Sequence, residues 1–590
     1  MPEILTIHLG GGIGGIRRAS GGIGALLFAA CLLALPSYAQ LQAGASAKAA
    51  AKASRYMVAA ADARAVDAGL AMLDKGGSAV DAMIAAQLVL TLVQPHASGI
   101  GGGGYLLVHD ARSGKPMAYD GRETAPSGAV PTLFLGRDGR PMTQQEAVVG
   151  GRSVGVPGTV RLLEVAHARH GKLPWATLFR PAIEMSEKGF ALSARVHRLI
   201  ANDKGLPTQA AARAYFFEPD GTPKAAGTLI RNPELARTLK LIAARGSDAF
   251  YTGEVASDIV AAVRNHANPG SMSLEDLAGY RVRDAEPLCG TYRGFRLCGM
   301  PPSSSGGIAV LQILAILEEY DLARLRPGSS QAVHLFAEAG RLAFADRSRY
   351  VGDDRFVDVP VKGLVDRVYL ASRATAVRPE KSMGIAQPGT PPGARLAFAH
   401  DTHEEGVGTT HTAVVDRWGN AVSMTSTIES DFGSKLMVRG FLLNNELTDF
   451  NFAPVDAAGV VANSVAPGKR PRSSMAPFLV YRGDSGTLEM ALGSGGGSFI
   501  INYVAKFLVG AIDWKLDAQK AIELPNMGSR NGPTEIEKGT ALEGVQAALR
   551  SMGHDVRAID MVSGLQAIRR TRVGWEGGAD PRREGVARGR

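Results

Sequence analysis

The sequence predicts a layered α/β fold built as one large globule. Strand-like hairpins around 409–428 and 478–492 lie next to helical stretches at 78–92 and 499–514, the mixture that packs helices onto sheets. Hydrophobic residues make up 45% of the 590, enough to bury a large core. No Pro/Ser-rich linker, long internal charge run or repeat of solenoid period divides the chain.

The first forty residues stand apart. Arg17-Arg18 precedes an apolar run from Ile23 to Leu35 and then Pro36-Ser37-Tyr38-Ala39. A positive region, a hydrophobic region and a small-x-small site make a secretory signal peptide over 1–39. The run is short for a bilayer span. A membrane anchor and a lipid-bearing Cys31 are the alternatives, and the long Gly-rich start leaves a downstream start codon open. No other stretch is long and apolar enough to span a bilayer, so the expected location is secreted or periplasmic.

From 58 to 93 the pattern is helical, broken at Gly76-Gly77, with Ser78 capping a second helix to Leu92. The glycine string 99–104 leads into a strand at 105–109. A phosphate loop runs strand, glycines, helix; here the order is helix, glycines, strand, so close backbone packing explains it better. Residues 159–285 read as mostly helical. Pro287 to Cys298 reads as a hairpin turning at Arg293-Gly294. Counting outward puts Cys289 opposite Cys298 in a non-hydrogen-bonded pair, where Cα atoms approach to roughly 4.5–5.5 Å, suited to a disulfide staple. Residues 300–307 form a rigid turn, and Ser330 caps a long helix to about Tyr350. Strands follow at 409–416, 421–428, 478–481 and 488–492, then a glycine nest at 493–498 and the helix 499–514.

The formal charge of +9 comes from 65 basic and 56 acidic residues, mild for this length. The densest basic stretch, Arg569-Arg570-Thr571-Arg572 and then Arg582-Arg583, lacks interleaved aromatics. It reads as a solvated tail, and no nucleic-acid partner is expected.

The chemistry gathers around Gly408-Thr409-Thr410-His411. A threonine at a strand start is usually just a good strand former. Here Thr409 opens a hairpin whose second strand carries Thr427, and beyond it come Asn444-Asn445-Glu446, Ser473-Ser474 and Gly495-Gly496-Gly497. With these blocks, and with Gly76–Ala82, Ser98–Gly104, Asp120–Pro126, Met300–Gly307, Pro471–Pro477 and Asp580–Gly585, the chain from about 57 to 585 closely resembles the γ-glutamyltransferases of the N-terminal nucleophile hydrolase superfamily.

The resemblance implies a four-layer αββα sandwich with a helix-rich large-subunit portion wrapped around it. It implies that the precursor cuts itself between Gly408 and Thr409, leaving a large subunit (40–408) bound to a small catalytic one (409–590) as a heterodimer. Thr409 would then attack the γ-carbonyl of glutathione or a related γ-glutamyl compound. Its own new α-amino group, with an ordinary pKa near 8, would serve as the base that a weak hydroxyl nucleophile needs. The γ-glutamyl group would pass to water or to an amino acid or peptide. By the same resemblance, Thr427 orients Thr409, and the N–H groups of Gly496 and Gly497 form the oxyanion hole. Arg122 takes the substrate α-carboxylate with Ser473 and Ser474. Glu429, Glu446 and Asp449 take the α-ammonium; some members carry amides at the two glutamate positions.

No cofactor or metal is called for. His411 reads as structural. Asp401, His403, Glu404 and Glu405 look like a metal cluster only superficially and read as a mobile tail released by cleavage. Two rival functions are an acylase of the same superfamily acting on β-lactam side chains or amides, and an inert binding protein. The complete head-group set argues against the first, the intact Thr409, Thr427 and glycine nest against the second. Whether the loop 449–473 acts as a lid stays open.

Overall fold

A computed structural model describes residues 49–394, 398–399, 401, 405–456, 459–483 and 485–590. The predicted leader 1–39, Cys31, His403 and Glu404 lie outside the described residues.

Two seven-stranded sheets form the centre. The first runs Ala51–Ala53, Gly574–Ala579, Gln566–Thr571, Leu488–Gly493, Phe478–Arg482, Phe295–Gly299, Leu288–Tyr292. The second runs Val586–Gly589, Met57–Ala60, Gly408–Val415, Ala421–Glu429, Gly103–Asp110, Lys115–Gly121, Arg283–Ala285. Because side chains alternate along a strand, the second sheet feeds two cores. Val58, Ala60, Val414, Val422 and Met424 pack with helices Ala63–Asp74 and Ala79–Val93. Met57, Ala59, Ala413, Val415 and Ala421 pack toward the first sheet, among Leu479, Tyr481, Met490 and Ile568. Helices Gly306–Leu317, Ile500–Ile512 and Ala518–Glu523 cover the first sheet's other face. The result is four layers: helix, sheet, sheet, helix. The helices between 159 and 279 wrap outside the first helical layer.

Local chemistry explains the boundaries. Ser78 and Asp81 form a reciprocal capping box for the helix Ala79–Val93. At the Arg293-Gly294 turn both residues have positive φ, 49° and 80°, as a two-residue hairpin of this twist requires. That turn sets Cys289 opposite Cys298, and the two are disulfide-bonded with a Cα–Cα distance of 4.1 Å.

Three readings need correction. Residues 57–60 are a strand, and the helix starts at Ala63 with Asp62 as its cap; four apolar residues buried on both faces carry no period to distinguish strand from helix. The long helix Ser330–Tyr350 is capped by Ser329, whose side chain accepts from Ala332 N–H. The basic carboxy-terminal stretch is not a solvated tail: Gln566–Thr571 and Gly574–Ala579 are strands of the first sheet, and Arg583 is buried.

Candidate active site

The site forms where the hairpin Gly408–Val415/Ala421–Glu429 opens at one end of the second sheet. The uninterrupted register of the hairpin sets Thr409 directly opposite Thr427, and the shift falls one residue earlier, between Gly408 and Thr409. The odd-numbered residues 409, 411, 413 and 415 share the strand face turned toward the first sheet. Thr409 Oγ1 donates to Gly408 O at 2.7 Å and lies 3.2 Å from Thr427 Oγ1. Thr427 Oγ1 donates to the same carbonyl at 2.6 Å and accepts from Glu429 N–H at 2.8 Å. Two hydroxyls thus polarise one carbonyl, and one of them belongs to the residue that follows it.

The glycine nest closes over this bond. A Cβ on Gly495 would stand 2.0 Å from Thr409 O, and one on Gly497 would stand 2.1 Å from Gly406 O. Only glycine allows such an approach, and Gly496 and Gly497 also have positive φ, 133° and 59°.

Across the pocket, Arg122 is 1% exposed. It pairs with Glu446 and with Asp449, and it donates through Nε to Pro471 O (3.3 Å) and through Nη2 to Arg472 O (3.1 Å). Burial, the largest influence, would lower this guanidinium's pKa, but Asp449, Tyr105 and Glu123 and the hydrogen bond to Asp449 together raise it. Glu429 accepts from Gly406 N–H, Ser430 and Asn445. Burial pushes the Asp449 carboxyl well up, and the neighbouring Glu429 adds to the shift. Three acids around one arginine leave this wall short of positive charge, which favours an incoming ammonium. Ser473 lines the same pocket, whose free space is about 10 Å³, room for about one water. Roomier clefts of about 540 Å³ beside Trp418 and about 700 Å³ beside Arg439 contain none of these groups.

The comparisons with known proteins agree with this geometry. A family model described as gamma-glutamyltranspeptidase matches residues 65–589. The chain belongs to the γ-glutamyltranspeptidase family. A glutathione hydrolase proenzyme of Bacillus subtilis is 36% identical over 548 residues, covering 90% of this chain and 91% of that one. An acylase ACY 1 proenzyme of a Pseudomonas species is 35% identical, covering 87% and 90%. The crystal structure of a cephalosporin acylase from Bacillus halodurans superposes with a TM-score of 0.81 at 26% identity, covering 93% and 98%.

In this member of the γ-glutamyltranspeptidase family, several buried groups escaped sequence reasoning. Arg583 donates to Thr409 O at 2.5 Å and to Val562 O at 3.2 Å, clamping the Thr409 carbonyl. Its motif, Asp580–Gly585, was visible, but a charged pair near a chain end reads as solvent-facing. Asp401 and Glu405 are not a mobile tail here. Asp401 pairs with Arg472 at 2.8 Å and accepts from Asn463 at 3.0 Å; Glu405 pairs with Arg347 and Ser474.

His411 accepts the structural role: its Nδ1 lies 2.9 Å from Thr425 Oγ1, and burial pushes its pKa down to about 3. Elsewhere, His334, Glu338 and His554 bring ligand atoms within 4.8 Å of one another. Each is already engaged. Arg378 O can only accept, so His334 Nε2 carries a proton toward it (2.7 Å), and His334 Nδ1 accepts from His554 Nε2 (2.7 Å). Thr534 then donates to His554 Nδ1 (2.7 Å), and Glu338 is held by Arg341, Ser382 and Met383 N–H. This is a hydrogen-bonded clasp between 334–338 and the carboxy-terminal part of the chain.

Proposed function

We propose that the protein is a γ-glutamyltransferase that matures by cutting its own chain at Gly408-Thr409. The observation that carries this is the pair of threonine hydroxyls on the Gly408 carbonyl, in a pocket that also holds an arginine and four acids. Thr409 Oγ1 attacks the Gly408 carbonyl carbon, and the acyl group moves from nitrogen to oxygen. Thr427 stabilises the oxygen that gains charge. The shift frees the Thr409 amine, which gains the hydroxyl proton, and water then cleaves the ester to release the Gly408 carboxylate and restore the Thr409 hydroxyl. In turnover the amine takes the Thr409 hydroxyl proton as the oxygen attacks a γ-glutamyl carbonyl, and the leaving amine departs with a proton. The γ-glutamyl ester passes to water or to an amino acid or peptide, with the N–H groups of Gly496 and Gly497 facing the oxyanion. Glutathione and related γ-glutamyl compounds are the substrate class. Residues 40–408 and 409–590 stay together as a heterodimer, and residues 1–39 direct the chain out of the cytoplasm as a cleaved leader.

Intact-mass and denaturing-gel analysis beside Thr409→Ala tests the first step, and a chromogenic γ-glutamyl anilide tests the second. The expected wild type shows two chains, the smaller beginning at Thr409, and releases anilide; the variant stays whole and inert. A folded, active, single-chain wild type would sink the proposal. The acylase relative favours a second reading, an acylase acting on β-lactam side chains or amides: cleavage of a β-lactam side-chain amide in preference to the γ-glutamyl one would establish it.

A further inference from the structure

We propose that Arg583 is a positioning residue for self-cleavage: its one guanidinium holds the carbonyls on both sides of Gly408 and so turns the Gly408 carbonyl onto the hydroxyls of Thr409 and Thr427. The inference rests on the γ-glutamyltransferase reading and adds a residue to its first step.

Arg583 stands where a neighbouring strand stops short. The strand Gly408–Val415 pairs with Ala421–Glu429 along one side, but on the other side Met57–Ala60 pairs only with residues 412–415. The buried Thr409 carbonyl therefore has no ladder partner there and needs a donor. Arg583 supplies it. Its Nη1 donates to Thr409 O at 2.5 Å, and its Nη2 donates to Val407 O at 3.5 Å and to Val562 O at 3.2 Å. Successive carbonyls of an extended chain point to opposite sides. Holding those of 407 and 409 on one side leaves Gly408 O on the other, where it accepts from Thr427 Oγ1 at 2.6 Å and Thr409 Oγ1 at 2.7 Å.

The guanidinium is itself held in place. Residues 580–585 carry the chain from Gly574–Ala579 in the first sheet to Val586–Gly589 in the second, and this crossing brings Arg583 beside Thr409. A Cβ on Gly495 would stand 2.8 Å from Arg583 Nη1, and one on Gly564 would stand 3.0 Å from Cδ and Nε, so two glycines make the slot. Burial, with Arg195 adding to it, pushes the Arg583 pKa down to about 10, which leaves a cation at neutral pH. A charged donor holds a carbonyl more firmly than a neutral one. In the step it serves, Thr409 Oγ1 replaces Thr409 N on the Gly408 carbonyl carbon, and the hydroxyl proton passes to that nitrogen. A peptide plane fixed on both flanks keeps that carbon facing the oxygen, whereas a freely turning one would meet it rarely.

The test follows the full chain after cell-free translation is stopped, for wild type, Arg583→Gln and Arg583→Lys. Denaturing gels read the conversion to two chains, and mass analysis reads the start of the smaller one. Each is run with and without hydroxylamine, which cuts the Gly408 ester once formed, giving a hydroxamate and the free Thr409 hydroxyl. Arg583→Gln is expected to slow conversion about 10- to 100-fold, the loss expected for charged hydrogen bonds. Hydroxylamine leaves that slow rate unchanged, because the missing step precedes the ester. Arg583→Lys keeps the charge without the fork and is expected to be about 3- to 10-fold slower than wild type. Thermal melts of both substitutions in the Thr409→Ala chain show whether the fold is intact, and the lysine variant carries the test if the glutamine variant fails to fold. A wild-type rate in either folded variant, or hydroxylamine restoring the rate of Arg583→Gln, would overturn the assignment. A folded wild type that never cuts at Gly408-Thr409 would bring down the γ-glutamyltransferase reading as well.

Discussion

The two charged walls of the pocket are built from the same residue types but tied together differently. On the acidic wall, Glu446 and Asp449 pair with Arg122, and none of the three belongs to the segment just before the cut. On the basic wall, Arg347 and Arg472 are neutralised by Glu405 and Asp401, both within eight residues of Thr409. The acidic wall's pairing is internal, whereas the basic wall takes its partners from the segment just before Thr409, which the proposed cleavage would turn into a chain end.

The comparison can be broken at several points. The largest effect belongs to Thr409→Ala, which keeps both walls in their precursor pairing: turnover falls by about 10⁴-fold or more, read by anilide release. Its melting temperature exceeds that of the matured wild type, read by calorimetry, because the Glu405 and Asp401 pairs persist; equal values would remove the distinction between the walls. Next is Arg122→Ala, which strands two buried carboxylates and costs about 3–5 kcal/mol, read by denaturant midpoint in both precursor and mature forms. Asp401→Asn sharpens the contrast. In the Thr409→Ala precursor it costs about 1.5–3 kcal/mol, and in the mature enzyme far less, by the same measurement.

A last effect lies outside both walls, is small near neutral pH and serves as a control. Burial, the adjacent His334 and Arg341 together lower the His554 pKa to about 4 from 6.5. The unfolded chain therefore takes up this proton before the folded one does. Stability is full above about pH 6.5 and falls toward pH 4 by up to about 1.4 kcal/mol per unit from this group. His554→Asn flattens that slope in the precursor as in the mature form, read by thermal melts across pH.

Legibility in the sequence followed the range of the physics involved. The disulfide hairpin could be read because a two-residue turn sets its own register, and Cys289 opposite Cys298 follows by counting. The Thr409/Thr427 hairpin was legible for the same reason, because that pair follows by counting from the turn, although the register shift at Gly408 just before it was not. The buried strand at Met57–Ala60 was misread because burial on both faces erases the two-residue period. Arg583 and the segment around Glu405 were misjudged because a charge near a chain end, or near a cut, looks solvent-facing until its partner is known. Those partners, Thr409 O for one and Arg347 and Ser474 for the other, lie far away along the chain.

By itself the sequence determined what short-range stereochemistry controls. Those features are the capped helices, the tight hairpins, the glycines that allow backbone to pass within a Cβ's reach, and the order of the motifs that marks the γ-glutamyltranspeptidase family. Only the tertiary structure decided which carboxylate answers which guanidinium. Side-chain pairing in a buried pocket depends on which elements the two stacked sheets bring together, and residues such as Arg122, Arg347 and Glu405, hundreds or tens of positions apart, carry no local signal of the partner that burial will force on them.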